Sequence, residues 1–233
     1  MNQPVSPRSA GEDDVLAQFA KLQTATITDA FLRLGLSGWM NGVLPLAAGM
    51  RIVGRARTIA YGPIRGTGKP ELSMYALIGR LTAGEVLVIA SGATDDNLLG
   101  DNMGTFAKRT GISGIVTDSK TRDRVGLAEL GLPLFSRGAS ARPPVHVEVE
   151  AYDIPIWCGG AQVRPGDIIV GDDDGVLVVP ENRAADVLFQ TDDLLAAEKD
   201  IRAAILDGAS LVEIERAVAR KKVVRQREPG KQP

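Results

Sequence analysis

Apolar residues fall along this chain in two rhythms. In "VLAQFAKLQTATITDAFLRLG" they recur at helical spacing, at Val15, Leu16 and Phe19 and then at Ile27, Ala30, Phe31 and Leu34. That spacing predicts two short helices, with Thr24 or Thr26 as a cap and Gly35 as a stop. "RIVGRARTIAYG" alternates with period two and reads as a strand, "LSMYALIGRLTAG" as a helix ended by Gly84, and "EVLVIAS" as a buried strand. The pattern then repeats, with "NMGTFAKRTG" as a helix, "GIVTD" as a strand, "VGLAELG" as a short helix and "LPLFSRG" as another short strand. Helices alternating with buried strands specify a partly parallel α/β core. From Val145 the pattern changes to strand-like "VHVEVEAYDIPIWCG" and "GDIIVGDDDGVLVVP", whose apolar runs flank the turn-forming "GDDDG", so the second half is expected to be mostly antiparallel. A long amphipathic helix is predicted from Asn182 to Asp207 and a last one in "SLVEIERAVARK". Residues 1–13 lack periodicity and read as a disordered arm, and residues 223–233 as a basic, frayed tail. No linker or repeat divides residues 14–222, which are expected to form one domain.

Composition narrows the function. The 233 residues bury a core without staples, and the single Cys158 excludes an intramolecular disulfide framework and any Cys-rich metal site, which fits a reducing cytoplasm. No apolar run approaches the ~20 residues of a membrane span, and the first residues lack a signal-peptide core. A soluble, cytoplasmic protein is expected. Lys and Arg number 27 against 29 Asp and Glu, aromatic residues are few, and the one basic block is the tail "RKKVVRQREPGK", which argues against nucleic-acid binding as the main role. The only histidine, His146, lies in an alternating strand and cannot build a His-rich metal site alone. There is no Walker phosphate loop, nucleophile elbow or dinucleotide fingerprint. Trp39 and Trp157 read as core or interface anchors, and Glu198 and Asp200 as solvated charges on the long helix.

Two polar concentrations remain. "SGATDDNLLGDNMG", Ser91 to Gly104, follows the buried strand "VLVIA" and runs into a helix start. Ligands bind at the carboxyl ends of strands in such sheets, and the amides of Asn102 and Met103 would face outward as a cradle for a carboxylate or phosphate, with Gly100 permitting close approach. An equally good reading is that Asp101 caps the helix and the glycines make a turn. "DSKTRD", Asp118 to Asp123, follows the strand "GIVTD". Adjacent opposite charges point in different directions, so Arg122 and Asp123 are expected to be poorly placed for a salt bridge with each other and aimed elsewhere. If the two strands are neighbours, Asp101, Arg122 and Asp123 overhang one crevice. Carboxylates without His or Cys suit a hard cation such as Mg²⁺ or Mn²⁺, and the guanidinium suits an oxyanion. A solvent-exposed ion-pair turn fits the local sequence equally well.

The run "GDNMGTFAKRTGISGIVTDSKTRDRVGLAELGLPLFSRG" with "GDIIVGDDDGVLVVP" downstream resembles the RraA-like family, over roughly Thr24 to Arg202. That family includes class II 4-hydroxy-4-methyl-2-oxoglutarate / 4-carboxy-4-hydroxy-2-oxoadipate aldolases, which also decarboxylate oxaloacetate. The resemblance implies an α/β subunit with a mixed β-sandwich core flanked by helices, assembled as a homotrimer or a dimer of trimers with sites at subunit interfaces. It further implies that Asp123 ligates a divalent cation, that Arg122 grips the pyruvyl group of a 2-oxo acid and stabilises its enolate, and that Asp101 orders water on the cation. Gly100 and the amides of Asn102 and Met103 match the carboxylate cradle, and Glu198 matches a helix glutamate contributed by a neighbouring subunit. The implied reaction is release of pyruvate by retro-aldol cleavage or by decarboxylation of oxaloacetate. Members of the family that regulate ribonuclease E lack the aspartate after the arginine, and Asp123 therefore favours an enzyme. The regulator reading stays open, as does a lyase or dehydratase acting on another 2-oxo or sugar acid, because "YGPIRGTGKPELS" and "TITDAFLRLGLSGWMNG" differ from the aromatic-degradation aldolases.

Overall fold

The computed structural model describes residues 10–65 and 73–226. In chain order it contains α1 (Ala10–Phe19), α2 (Thr24–Leu34), β1 (Trp39–Met40), β2 (Leu44–Pro45), β3 (Ile52–Pro63), α3 (Met74–Ile78), β4 (Glu85–Ala90), β5 (Asn97–Leu99) and α4 (Asp101–Thr110). Next come β6 (Gly114–Thr117), β7 (Lys120–Thr121), α5 (Arg124–Glu129), β8 (Leu134–Ser136), β9 (Val147–Tyr152), β10 (Ile156–Cys158), β11 (Ala161–Val163), β12 (Ile168–Asp172) and β13 (Gly175–Val179). A 3₁₀ turn (Glu181–Arg183), α6 (Ala184–Leu206) and α7 (Leu211–Lys221) complete the described chain.

Nine strands form one mixed sheet among the described residues, in the order β1-β13-β12-β3-β4-β6-β8-β2, with β9 on the second half of β3. β3, β4, β6 and β8 are parallel, and the crossovers carry α3, α4 and α5. The β12–β13 hairpin and β9 add the antiparallel part. Strand β4 shows why the central runs are apolar throughout, since both its faces are buried. Val86, Val88 and Ala90 meet Ile156, Cys158 and Val163 of the β10–β11 hairpin, whereas Leu87 and Ile89 meet Leu77, Ala107 and Leu127 of the helices. On β12 and β13, Ile168, Val170, Leu177 and Val179 pack under Phe19, Ile27, Phe31, Val187 and Leu194 of α1, α2 and α6. The mixed α/β core expected from the sequence is thus present, with the short hairpin as the layer opposite the helices.

Several boundaries differ from the expectation. Helix α1 begins at Ala10, so the last four residues expected in a disordered arm are helical, while residues 1–9 and 227–233 lie outside the described residues. Gly35 does end α2, at φ 63°, but Thr24 does not cap it with its own side chain. Its N–H and hydroxyl instead donate to the Asp172 carboxylate at 2.8 and 2.6 Å, so a cap is delivered from the β12–β13 turn 148 residues away. Helix α3 stops at Gly79 rather than Gly84. Glu85 draws the chain into a turn by accepting from the Thr82 amide at 2.7 Å, while the same carboxylate pairs with Arg57.

Candidate functional site

The parallel pairing of β4 with β6, in register from Val86–Gly114 to Ile89–Thr117, sends their two following segments to the same edge of the sheet. There β5 and β7 pair in a second small parallel sheet, and the Arg122 amide donates to Leu99 O at 2.9 Å. Gly100 and Asp101 therefore leave one strand beside the place where Arg122 and Asp123 leave the other.

Asp123 stands at φ 58°, ψ 39° as the residue before α5. This left-handed conformation is one that Asp and Asn tolerate better than other side chains do. It turns the Asp123 carboxylate back over the strand ends: its Oδ2 accepts from the Asp101 amide at 3.3 Å and lies 3.4 Å from Arg122 Nε. The two neighbours are thus an ion pair, against the expectation that adjacent charges diverge, because αL backbone removes the strand alternation on which that expectation rested. Both side chains are exposed, so solvent screens the pair and leaves the guanidinium able to take an oxyanion. Gly100 makes the approach possible, since a Cβ there would sit 2.6 Å from Asp123 Oδ2 and 3.1 Å from Arg122 Nε.

Asp101 opens α4, with Gly100 as the capping position. Its Oδ1 accepts from the Asn102 amide at 2.7 Å, so that amide is occupied by its own neighbour rather than open as expected. The Met103 amide, in the first turn, has no carbonyl four residues back within the helix. The cradle reading and the self-capping reading therefore each describe part of the geometry. Asp101, Asn102, Met103, Gly100, Arg122 and Asp123 are brought together. Glu198 is not, since it lies on α6 and pairs with Lys221 Nζ at 3.0 Å. Lys120 pairs with Asp95 at 2.6 Å.

A hard cation fits this donor set. The Asp123 carboxylate sits on the amide of Asp101, so the two acids are neighbours without His or Cys, and none of the hydrogen bonds to Asp123 named above uses its Oδ1. Among the described residues no cluster of three or more His, Cys, Asp or Glu could hold a metal ion, so this chain offers two carboxylates and any further coordination must come from water, substrate or another chain.

A groove of about 810 Å³ lies elsewhere and includes Trp39, Trp157, Gln162, Asp167 and Glu181 in its lining. Both tryptophans are exposed there rather than in the core. Its acids are committed to structure. Asp167 accepts from the Arg164 and Glu181 amides at 2.8 and 3.1 Å, and Glu181 pairs with Arg55 at 2.7 Å. The chemistry is therefore sought at the open rim bearing Asp101 and Asp123. Sequence reasoning overlooked Asp118 as a structural residue: its carboxylate ties the end of β4 to the β10–β11 turn, accepting from the amides of Ser91 at 2.7 Å and Gly159 at 3.0 Å. The one signal for it was an acid directly after a buried strand.

The Aldolase/RraA family model matches residues 24–178. A protein of Halalkalibacterium halodurans, provisionally named as a 4-hydroxy-4-methyl-2-oxoglutarate aldolase, is 32% identical over 205 residues, covering 88% of this chain and 94% of that one. Protein DlpA of Legionella pneumophila is 32% identical over 202 residues, 85% of this chain but 32% of its own length. The crystal structure of Streptomyces coelicolor RraAS2, described as an unusual member of the RNase ES inhibitor RraA protein family, superposes with a TM-score of 0.76 at 28% identity, covering 85% of this chain and 99% of that one.

Proposed function

The chain belongs to the RraA-like family, and from that premise we propose that it is a divalent-metal-dependent lyase that releases pyruvate from a 2-oxo acid. The substrate would be a 4-hydroxy-2-oxo acid, cleaved to pyruvate and a second carbonyl compound, or oxaloacetate, which would lose CO₂. The observation that carries this reading is the convergence of Asp101, Arg122 and Asp123 at the carboxyl ends of two paired parallel strands.

Mg²⁺ or Mn²⁺, held by Asp123, would polarise the 2-oxo carbonyl and make the neighbouring C–C bond the weak one. Arg122 presents a guanidinium to the oxygen on which negative charge collects as that bond breaks, which lowers the barrier because the charge meets a fixed cation. The first turn of α4, through the Met103 amide, offers a donor for the substrate carboxylate. For aldol cleavage the 4-hydroxyl must lose its proton, and Asp101, whose Oδ1 already accepts from the Asn102 amide, has its other carboxylate oxygen at hand to order a water that takes it. Decarboxylation needs no such proton transfer, so one site serves both reactions. The resemblance further implies a homotrimer or a dimer of trimers. Helices α6 and α7 are consistent with further assembly, since Leu195, Ile205, Leu206, Leu211 and Val212 are exposed on them.

The test is a screen of short 2-oxo acids for pyruvate release with Mg²⁺ or Mn²⁺. Activity that disappears with EDTA and returns with the metal is the expected result, and undiminished turnover in excess EDTA would overturn the proposal. The likeness to RraAS2 motivates a second reading, a binding protein that restrains a ribonuclease. Capture of such a nuclease unchanged by Arg122→Ala and Asp123→Asn would favour that reading instead.

A further inference from the structure

The segments leaving β4, β6 and β8 are tied to one another by polar groups that the chemistry above does not use. After β8 the chain runs as a strap along β7: the Arg137 amide donates to Ser119 O, the Thr121 amide to Gly138 O and the Ser140 amide to Thr121 O, each at 2.9 Å. The strap then reaches the segment after β4, where the buried Asn97 receives it three times. The Asn97 amide donates to Arg142 O at 3.0 Å, and its Nδ2 donates to Ser140 O at 3.1 Å and Arg142 O at 2.5 Å.

Beside it, Asp96 is only 1% exposed. Its Oδ2 accepts from the Thr94 hydroxyl at 2.8 Å, and its Oδ1 faces Arg142 Nε at 2.7 Å as an ion pair rather than a well-aligned hydrogen bond. The Asp96 carbonyl meanwhile accepts from the Ser119 hydroxyl at 2.5 Å. A buried carboxylate is tolerated only with such partners, and Arg142 supplies the compensating charge from 46 positions along the chain.

The consequence concerns register. Asn97 begins β5, which ends immediately before Gly100, and the strap bonds Thr121, which immediately precedes Arg122. We infer that Asn97 and Arg142 are positioning residues: by clamping the strap across β5 and β7 they set the spacing between Asp101 and Asp123, and with it the affinity for a divalent cation. This rests on the lyase reading for its chemistry but is tested separately from it.

The experiment compares the full chain with Arg142→Ala, Arg142→Lys, Asn97→Ala and Asn97→Ser. Mn²⁺ binding is followed by the resonance of the free ion, amide hydrogen exchange at residues 99–101 and 121–123 is measured, and kcat and KM are taken for oxaloacetate. Arg142→Ala and Asn97→Ala should weaken Mn²⁺ binding about tenfold, the size typical of losing a group that orients a ligand. They should also speed exchange at those two segments and raise KM more than they lower kcat. Arg142→Lys should recover most of the loss, because it restores the charge opposite Asp96. Should either alanine variant fail to fold, Asn97→Ser and Arg142→Lys still report on the clamp by smaller shifts in the same directions. Folded variants with unchanged Mn²⁺ affinity and unchanged exchange at both segments would overturn the inference. If the wild-type protein releases no pyruvate from any 2-oxo acid, the lyase reading falls and Mn²⁺ binding with exchange decides the positioning role alone.

Discussion

In the proposed lyase Arg122 and Asp123 would divide two jobs between adjacent residues, and the left-handed backbone at Asp123 is what brings both to one crevice. Asn tolerates that backbone as well as Asp does, so Asp123→Asn should keep the fold, with its thermal midpoint almost unmoved, while removing the charge that holds a cation. Arg122→Ala should lower kcat for pyruvate release by about 10²–10³-fold, the usual cost of losing one oxyanion donor, again with little change in thermal midpoint. Gly100→Ala tests the geometry without touching either charge. Its new Cβ would meet Asp123 Oδ2 at 2.6 Å, so the carboxylate must move, and activity should fall by roughly 10–100-fold in a protein of near-native stability. Cys158 behaves in the opposite manner. Fully buried beside Asp118, with its Sγ 3.6 Å from Ile89 O, its thiol is pushed well up from the ordinary value, by burial above all. It stays protonated through neutral pH, and a thiol reagent should label it only after denaturation, as mass spectrometry of native and unfolded samples can check.

At the scale of elements, what the sequence made legible was the part governed by local periodicity. The helix–strand alternation, the Gly35 stop and the hairpin around "GDDDG" each follow from residues within a turn or two of one another. The parts that were not legible depend on distant partners. Asp172 capping α2, Asn97 and Asp96 holding Arg142, and Glu85 shortening the run after α3 all join residues that no spacing rule links. The candidate site was legible as two polar concentrations after buried strands, but the ion pair within it was not, because it needs an αL residue that local sequence did not announce. The Arg57 cluster illustrates the energetic weight of such long-range polar contacts. Arg57 bridges Asp153 at 2.6 Å and the buried Glu85 at 3.2 Å, and its proton is held well above the ordinary arginine value, first by the Asp153 hydrogen bond. Arg57→Ala leaves Glu85 buried without its cation, and after allowance for the partial exposure of Arg57 and Asp153 it should cost about 2–3 kcal/mol in urea unfolding.

Across the whole molecule, one sheet serves both stability and chemistry. Its two faces are buried under the helices and the β10–β11 hairpin, while the carboxyl rim of its parallel strands carries Asp101, Arg122 and Asp123. No described helix is long and apolar enough to cross a membrane. In the proposed reaction these carboxylates and the guanidinium would recognise the 2-oxo carboxylate unit that all 2-oxo acids share, so family membership alone leaves the substrate open. If Asp123 holds the cation of the proposed lyase, no pyruvate is made without that cation. Metal-stripped wild type and Asp123→Asn, titrated side by side with Mn²⁺ while pyruvate release from oxaloacetate is followed, test it most directly. The expected result is saturable activation of the wild type and none beyond the metal's own background rate for Asp123→Asn; equal activation of both proteins, or full wild-type turnover before any metal is added, would rule out a cation held by Asp123.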